Sequence, residues 1–508
     1  MKIEIFDSTL RDGAQGEGIA FSVDDKIAIC KKLDSLGIDY IEGGNPASNP
    51  KDREFFEKVK GIGLKCAKLV AFTSTHRVGE QPQFDEVLAA DTEIVCIFGK
   101  SWLLHVKEIL RCSPEQNLEI IKSTIEYFKS KGKRVFFDAE HFFDGYKDNA
   151  EYAVRVLEVA SNAGAEVLVL CDTNGGTLPF EVSEIVRKIS RDDLGIHCHN
   201  DAGTAVANSI CAVNEGVRHV QGTFCGYGER CGNANLCTII PTLQLKMGYE
   251  CVPEEKMKRL VRTSRFVCEI ANMTPYSGAP YVGSSAFAHK GGMHSDAVTK
   301  VPRSFEHIDP GLVGNERRIL LSDVAGRSAL MTVLAEIAPE ISRNDEVTHR
   351  ILGKLKELEH KGFQFEGAEG SLELLVLREL GKYKKHFDLG RFQIMDTQAE
   401  DDFTASALVK IYVDGVEEIA GAEGHGPVNA LDKALRRALI RFYPDIEKIR
   451  LLDYKVRILG IGEATASTTR VLITSTDGER KWTTIGISQD IIDASWQALV
   501  DSVEYFLG

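Results

Sequence analysis

The sequence lacks the features that mark a membrane-spanning, exported or nucleic-acid-binding chain. No apolar run is long enough to cross a bilayer, and the opening segment MKIEIFDSTLRDG has the pattern of a strand rather than of a signal region. Positive charge is scarce: 61 Lys and Arg face 75 Asp and Glu, the net charge is −14, and there is no long basic run. We therefore expect a cytoplasmic protein that binds neither membrane nor nucleic acid and holds any anionic substrate with local positive groups.

The cysteines lack the spacing of a redox or zinc-binding pair. All twelve lie in the first 270 residues, and none forms a C-x-x-C motif, so we expect reduced thiols. Cys225, Cys231 and Cys237 recur every six residues, which leaves open a second, soft metal centre. The alternative is that they are small buried apolar residues, a common environment for free cysteine.

Short apolar runs alternate with amphipathic helical patterns through the first half of the chain. The strand candidates are KIEIF, IDYIEGG, KCAKLVAF, EIVCIFG, RVFFDAEH, EVLVLCDTNGG, LGIHCHND and VRHVQGTFCG. Eight such β/α units in about 250 residues predict an α/β fold, a (β/α)₈ TIM barrel over residues 1–275. The competing doubly wound sheet is disfavoured, because no G-x-G-x-x-G motif follows the first strand.

The pattern changes beyond the predicted barrel. Residues 276–385 begin with a Gly-rich irregular stretch and continue with mainly helical patterns, so we interpret them as a connector. Residues 386–508 contain an internal repeat, in which TASALVKIYVDG at 404–415 is echoed by TASTTRVLITSTDG at 465–478. Two βββα-type units predict a C-terminal α+β domain for dimerisation and regulation, the alternative being a plain stabilising tail.

A pair of histidines two residues apart is the strongest chemical signal. On a strand, His197 and His199 face the same way and can reach one ion. With Asp12 and Asn233 they would make a mixed oxygen and nitrogen ligand set suited to Mg²⁺, Mn²⁺ or Zn²⁺. Arg11, next to Asp12, could then clamp a carboxylate. The alternative is a strand with two hydrogen-bonded imidazoles and no metal.

Longer motifs connect these residues with a known family. TLRDG-x-Q, CDTNGG, H-x-HND and GYGERCGNANL, followed by the repeated module, resemble the 2-isopropylmalate, homocitrate and citramalate synthase group of metal-dependent TIM-barrel enzymes. The resemblance covers the whole chain. It implies condensation of acetyl-CoA with a 2-oxoacid and hydrolysis of the thioester. FDSTLRDGAQGEG, IEGGNPASNPKD, FGKSWLLHV, FDAEHFFDGYKDN and SSAFAHKGGMH most resemble the citramalate synthase branch, which uses pyruvate in isoleucine biosynthesis.

The resemblance also implies roles for individual residues. Arg11 and Thr173 would bind the oxoacid carboxylate, and Glu140 would order acetyl-CoA and water. His294 in GMHSDAV matches the family's catalytic base, with Asp296 as its acidic partner. Because this loop lies beyond the barrel in sequence, it must fold over a barrel mouth, which can belong to the partner subunit of a homodimer.

Other positions bear on the mechanism and the substrate. His289 is a weaker catalytic candidate, and Phe305 stands where related synthases place a tyrosine. Bulky apolar walls would suit pyruvate; the candidates, which could equally be core residues, are Phe72, Phe98 and Trp102. His105 as a substrate-binding residue keeps a homocitrate synthase open, and 2-oxoisovalerate is a further alternative oxoacid.

Two rival functions use the same motifs. An acyl-CoA or aldol lyase of the superfamily would use Arg11, Asp12 and the H-x-H pair in reverse, and an inactive barrel could act as an amino-acid-sensing scaffold. The repeat module argues against a lyase, because feedback control suits a committed biosynthetic step. For a synthase, we expect isoleucine or leucine as an effector bound at that module.

Overall fold

The computed structural model describes residues 1–76, 82–290, 292–320, 334–335, 338–339, 346–365, 367–398, 403–459 and 467–508. The chain divides into two compact units. The first comprises residues 1–287 with 308–317, and the second comprises residues 288–307 with 318–508.

The first unit is a closed barrel of eight parallel strands, arranged in chain order so that β8 pairs with β1. Its strands are β1 (Glu4–Asp7), β2 (Tyr40–Gly44), β3 (Lys68–Ser74), β4 (Ile94–Lys100), β5 (Arg134–Glu140), β6 (Val167–Asp172), β7 (Leu194–Cys198) and β8 (His219–Gly222). All eight strands predicted from the sequence are present, and the (β/α)₈ fold is confirmed.

Helices surround this barrel. They are α1 (Val23–Leu36), α2 (Pro50–Val59), α3 (Pro82–Ala89), α4 (Pro114–Ser130), α5 (Phe142–Asp148), α6 (Ala150–Asn162), α7 (Pro179–Ile189), α8 (Ala205–Asn214), α9 (Leu236–Met247), α10 (Glu254–Met257) and α11 (Leu260–Ile270). Local sequence sets their ends. Ser22 and Asp25 form a capping box at the start of α1, and Gly37 ends that helix with φ of 100°. Ser113 and Gln116 cap α4 in the same way.

Two layers of apolar side chains hold the barrel together. A large core lies between strands and helices, and a smaller cluster fills the barrel interior. The interior cluster consists of Phe6, Tyr40, Val70, Ile94, Cys96 and Phe136. His219 packs among these rings and pairs with Glu4, so the lower interior is filled, and an open cavity has room toward the carboxyl ends of the strands. All twelve cysteines are free.

The second unit begins with short elements. Strands β9 (Ala288–His289) and β10 (Arg318–Ile319) pair in parallel, and α12 (Gly292–Lys300) follows β9. The clearest predicted connector helix is present as α13 (Glu346–His360), followed by α14 (Glu369–Glu379). Parts of the helical pattern predicted over 316–385, namely 321–333, 336–337, 340–345 and 366, lie outside the described residues.

The C-terminal part consists of two βββα repeats, which confirms the predicted architecture. Their elements are β11 (Asp388–Gln398), β12 (Phe403–Val413), β13 (Val416–Gly424) and α15 (Pro427–Leu439), then β14 (Arg450–Leu459), β15 (Thr468–Thr476), β16 (Lys481–Ser488) and α16 (Ile491–Leu507). Each repeat is an antiparallel sheet with its middle strand in sequence at the centre, and the two repeats share one apolar core. None of the described helices combines the length and apolar character needed to cross a membrane.

Candidate metal centre and active site

Four predicted ligand side chains converge at the carboxyl ends of the barrel strands. Asp12 follows β1, His197 is the penultimate residue of β7, and His199 comes directly after that strand. Asn233 lies in the loop after β8, which folds back so that it forms a bridge with His199. All four residues are buried.

The donor atoms are close enough to share one cation. His197 Nε2 lies 3.4 Å from His199 Nε2, and Asp12 Oδ2 lies 3.6 Å from the first nitrogen and 3.9 Å from the second. Ligand atoms bound at about 2.1 Å stand roughly 3.0–3.5 Å apart around a common ion. These three residues are the only such group of three or more His, Cys, Asp or Glu found in the described parts of the chain.

Asn233 lies directly beside Asp12 of this cluster. Its Nδ2 donates to Asp12 Oδ1 at 2.9 Å and to the Tyr227 carbonyl at 3.2 Å. Its Oδ1 is buried without a hydrogen-bond partner in the described structure. An unsatisfied buried acceptor is costly, and a cation would satisfy it. The donor set therefore fits a hard or borderline divalent metal.

The loop that carries Asn233 depends on glycine. Gly228 has φ of 150°, and a Cβ there would lie 2.2 Å from Asn233 Nδ2. Gly232 has φ of 84°, and its Cβ would lie 2.0 Å from the Gly226 carbonyl oxygen. The glycines of the GYGERCGN motif thus let the backbone bring Asn233 to the cluster.

Electrostatics keep the cluster in its metal-binding protonation state. Burial lowers the pKa of His197, and burial together with His197 lowers the pKa of His199 to about 4. Burial alone would raise the pKa of Asp12, but the Arg11, His197 and His199 charges lower it to about 2. At neutral pH the site therefore presents two neutral imidazoles and one carboxylate.

Arg11 is fixed beside this cluster. Its Nε donates to Glu42 Oε2 at 2.7 Å, its Nη1 donates to Asp12 Oδ2 at 3.2 Å, and the guanidinium lies 3.9 Å from the Phe72 ring centroid. Burial alone would lower the pKa of Arg11, but Glu42 and Asp12 raise it. Its ion-pair partners are therefore Glu42 and Asp12.

A cavity of about 260 Å³ opens over these groups. It is lined by Arg11, Asp12, Gln15, Phe72, Phe98, Asp138, Glu140, Cys171, Thr173, His197, His199, Glu229 and Arg230. Phe72 and Phe98 form a stacked pair in its wall, with ring centroids 5.2 Å apart. A cavity of this size suits a small molecule and has one aromatic side.

Two further predicted residues lie on the same rim. Glu140 ends β5 and forms an ion pair with Lys100. Thr173 follows β6, and its Oγ1 accepts a hydrogen bond from the His141 backbone N–H at 2.9 Å. The structure thus brings Arg11, Glu140 and Thr173 together around the predicted metal ligands.

His105 lies outside the cavity lining. It begins a π-helix (His105–Ile109), stacks on Trp102 and lies 4.3 Å from the His141 ring centroid. Trp102 Nε1 donates to Asp148 at 3.1 Å, so Trp102 packs beside the site and not in the described cavity wall. The role of His105 in substrate binding stays a prediction.

The predicted base belongs to the second unit. His294 is exposed on α12 and stacks on Phe305, with ring centroids 4.3 Å apart. Asp296 accepts from Lys300 at 2.6 Å. His289 Nε2 lies 3.2 Å from Glu306 Oε1, which gives this weaker candidate a structural partner. The catalytic roles of His294 and Asp296 stay predictions.

Sequence reasoning missed several groups around the site. Gln221 contacts His197, Asp138 contacts Gln221, and Arg230 makes two hydrogen bonds to Asp201 at the rim. Burial and the nearby Glu42 raise the pKa of Asp138 to about 7. The available sequence signals were weak: Asp138 and Gln221 lie near the carboxyl ends of β5 and β8, and Arg230 lies in the GYGERCGN motif.

The cysteines of the suggested soft centre do not form a metal cluster in the described structure. The Cys225 N–H donates to Cys237 Sγ at 3.5 Å, and Cys225 Sγ lies 3.4 Å from Cys268 Sγ. Cys231 is exposed. Cys225 and Cys237 pack against the core, in agreement with the alternative interpretation.

A closed parallel barrel with a carboxylate–imidazole cluster at its carboxyl ends defines the class as a metal-dependent (β/α)₈ enzyme. Residues 2–267 match the HMGL-like family model, and the chain belongs to that family. Residues 281–362 match the homocitrate synthase post-HMGL domain-like model, and residues 366–507 match the LeuA allosteric (dimerisation) domain.

Curated relatives match along the whole chain. It is 52% identical to the (R)-citramalate synthase of Aquifex aeolicus over 516 aligned positions, covering 100% of this chain and 98% of that protein. It is 51% identical to the (R)-citramalate synthase of Geobacter sulfurreducens, covering 99% and 97%. A probable 2-isopropylmalate synthase of Methanopyrus kandleri is 32% identical, with 99% and 98% covered.

Proposed function

We propose that this enzyme is a citramalate synthase. It joins the methyl carbon of acetyl-CoA to the ketone carbon of pyruvate and hydrolyses the thioester, which gives citramalate and CoA. The observation that carries the proposal is the convergence of Asp12, His197 and His199 beside Arg11 in one small cavity. The identity of about half of all positions to synthases of that name supports this substrate over the 2-oxoacids of more distant relatives.

The first chemical task is to make the ketone electrophilic. A divalent cation held by Asp12, His197, His199 and Asn233 would supply Lewis acidity for the ketone oxygen. Arg11, held by Glu42, binds the carboxylate of the oxoacid and stabilises negative charge as the ketone oxygen becomes an alkoxide. Thr173 adds a hydroxyl donor to the same carboxylate.

The second task is to remove a proton from the acetyl methyl group. His294 accepts that proton as general base, with Asp296 as its acidic partner. In a homodimer the barrel mouth that His294 serves can belong to the partner subunit. Phe305 offers His294 a ring and no hydroxyl, so any acid–base share of the tyrosine found in relatives passes here to another residue or to water. Glu140 then orders acetyl-CoA and the water that hydrolyses the thioester.

The cavity wall supports pyruvate as the oxoacid. Pyruvate carries only a methyl group beyond its ketone. The stacked Phe72 and Phe98 rings form an apolar wall of the cavity against which a methyl group can pack. The second carboxylate of 2-oxoglutarate would need a further cation. Arg11 is committed to the first carboxylate, and Arg230 is paired with Asp201.

One assay tests the substrate and the reaction together. The enzyme is incubated with acetyl-CoA and, in separate reactions, pyruvate, 2-oxobutyrate, 2-oxoisovalerate or 2-oxoglutarate, and free thiol is measured. We expect pyruvate to give the highest kcat/KM. A higher kcat/KM with 2-oxoisovalerate or 2-oxoglutarate would mean that the proposed substrate is wrong and the proposed reaction is right. No thiol release with any oxoacid, together with cleavage of an acyl-CoA, would favour a lyase.

We further propose that the chain is a homodimer joined by its C-terminal domain, which the match to an allosteric and dimerisation model supports. Strand β14 exposes Leu452, Val456 and Ile458, whose exposed fractions are 54%, 41% and 63%. Such an apolar strand face is unusual in a monomer. Substitution Ile458→Lys should shift the molecular mass measured by light scattering toward the monomer, while Lys455→Glu, at an already charged position of β14, should not.

The same domain is proposed to bind isoleucine or leucine as a feedback inhibitor in isoleucine biosynthesis. Regulation of this kind corresponds to a coupling of about 1–3 kcal/mol between effector and substrate. The full-length enzyme should therefore show both a raised melting temperature and reduced thiol release with one of the two amino acids. Indifference of both measurements to both amino acids would contradict the regulatory role.

A further inference from the structure

We propose that Gln221 and Asp138 form a relay that positions His197 for metal binding, by holding its Nδ1 protonated and its Nε2 free. Neither residue belongs to the ligand set, and Gln221 does not line the cavity. The inference rests on the proposed metal site and is independent of which oxoacid the enzyme uses.

Strand register places the first contact. His197 on β7 is the direct register partner of Gln221 on β8. Their side chains meet where His197 Nδ1 lies 2.9 Å from Gln221 Oε1. On the opposite side of the imidazole, Nε2 points to Asp12 and His199. The ring is therefore held between one acceptor and the ligand cluster.

The second contact fixes which end of the Gln221 side-chain amide faces His197. Gln221 Nε2 donates to Asp138 Oδ1 at 3.0 Å. A side-chain amide could otherwise turn over and present its N–H₂ to the imidazole, which would favour a proton on Nε2 and prevent metal binding. The contact of Gln221 Nε2 with Asp138 Oδ1 leaves the amide oxygen on the side of His197. The order Asp138, Gln221, His197 thus selects one tautomer.

Gln221 and Asp138 are polar side chains in a buried place, where each needs a hydrogen-bond partner. Gln221 is 0% exposed and Asp138 is 4% exposed, and apolar side chains fill the barrel interior below them. Polar groups buried there need mutual hydrogen bonds to avoid a large penalty. The second histidine differs, because His199 Nδ1 has no hydrogen-bond partner in the described structure. The relay therefore acts on His197 alone.

The test is the Mn²⁺ affinity of metal-free full-length protein, measured by calorimetry without substrate. Gln221→Met keeps the side-chain volume and removes the acceptor, and we expect about 10–100-fold weaker binding. Gln244→Met is the matched control, since Gln244 accepts from the Cys251 and Val252 N–H groups near the amino-terminal ends of the strands. The Mn²⁺ affinity of Gln244→Met should stay within about threefold of wild type, a change much smaller than the one expected for Gln221→Met.

A swapped pair supplies the rescue. In the double variant Gln221→Glu with Asp138→Asn, the new carboxylate at position 221 accepts from His197, and the new amide at position 138 donates to that carboxylate. The formal charge of the pair is unchanged, because one carboxyl group is exchanged for another. Its Mn²⁺ affinity should return to within about threefold of wild type. Wild-type affinity in Gln221→Met, or an affinity of the swapped pair as low as that of Gln221→Met, would overturn the relay. If Gln221→Met does not fold, the swapped pair decides alone, and binding weakened tenfold or more refutes the proposal.

Discussion

Arg11, which is half-buried, and the buried Glu42 form an ion pair at the rim of the barrel, with Nε 2.7 Å from Oε2. Ser8 Oγ donates to the same carboxylate oxygen, and the Phe72 ring supports the guanidinium from one face. These contacts hold the positive charge of Arg11 in a fixed direction beside Asp12. A preorganised cation of this kind is most effective where negative charge develops during the reaction.

Replacing Arg11 with Lys should therefore reduce turnover more than metal binding. Lysine keeps the charge but loses the planar fork that contacts Glu42 and Asp12 together. We expect kcat for thiol release to fall about 100–1000-fold, while Mn²⁺ affinity changes less than about fivefold. Arg187→Lys is the control, because Arg187 forms a comparable two-point pair with Glu215 on the surface. An equal loss in metal affinity and kcat would contradict a direct role in the reaction.

The two stacked phenylalanines should have different effects. Phe72 lies under the Arg11 guanidinium, whereas the cation over the Phe98 ring is Lys100. Phe98→Ala should shift the ratio of kcat/KM values from pyruvate toward 2-oxobutyrate and 2-oxoisovalerate by about 10–200-fold. Phe72→Ala should in addition lower kcat for every oxoacid, because Arg11 loses its support. Identical profiles for the two variants would argue against separate roles in specificity and rate.

The sequence was sufficient for the barrel and for much of the rim. Alternating apolar runs identify all eight strands, and side chains at strand ends must meet at one edge. This explains why Asp12, His197 and Thr173 could be placed together from their positions alone. Asn233 needed more, because its loop bends back through Gly228 and Gly232.

Contacts across the barrel were not predictable in the same way. Gln221 and Asp138 are 83 residues apart, and nothing in VQG or FDAEH indicates that their side chains touch. Neighbouring pairs such as His197 and Gln221 follow only once strand order and register are known. His105 packs against Trp102 and His141, a contact that its sequence position did not indicate, and its role in substrate binding stays a prediction.

Removal of the metal should abolish activity and lower stability. Thiol release should stop with excess chelator and return on adding Mg²⁺, Mn²⁺ or Zn²⁺, which also identifies the most effective ion. At about 100 times the dissociation constant, a bound ion stabilises the folded protein by about 2.7 kcal/mol. The melting temperature should rise with metal for wild type and for His219→Gln, a buried histidine paired with Glu4, but not for His199→Gln. A metal-dependent rise in His199→Gln would place the ion elsewhere.

Asp34 predicts how the stability of the first unit depends on pH. Its buried carboxylate on α1 accepts hydrogen bonds from the consecutive N–H groups of Lys65, Cys66 and Ala67 before β3. Burial alone would raise the pKa of Asp34, but these hydrogen bonds lower it below the ordinary value. A lowered carboxyl pKa contributes stability that is present above the unfolded pKa of about 3.9 and is lost as the pH falls through the folded value.

Asp34→Asn should therefore lower the free energy of unfolding by roughly 1–2 kcal/mol at neutral pH, because hydrogen bonds to a charged acceptor are stronger than those to an amide. The difference in melting temperature between wild type and Asp34→Asn should be constant from about pH 7 to 5 and should shrink below about pH 4, where the wild-type carboxylate takes up a proton. Asp192→Asn, at an exposed position, should show no such difference. If the difference in melting temperature between wild type and Asp34→Asn stays the same at pH 3, the charge of the carboxylate is not what stabilises the 65–67 segment.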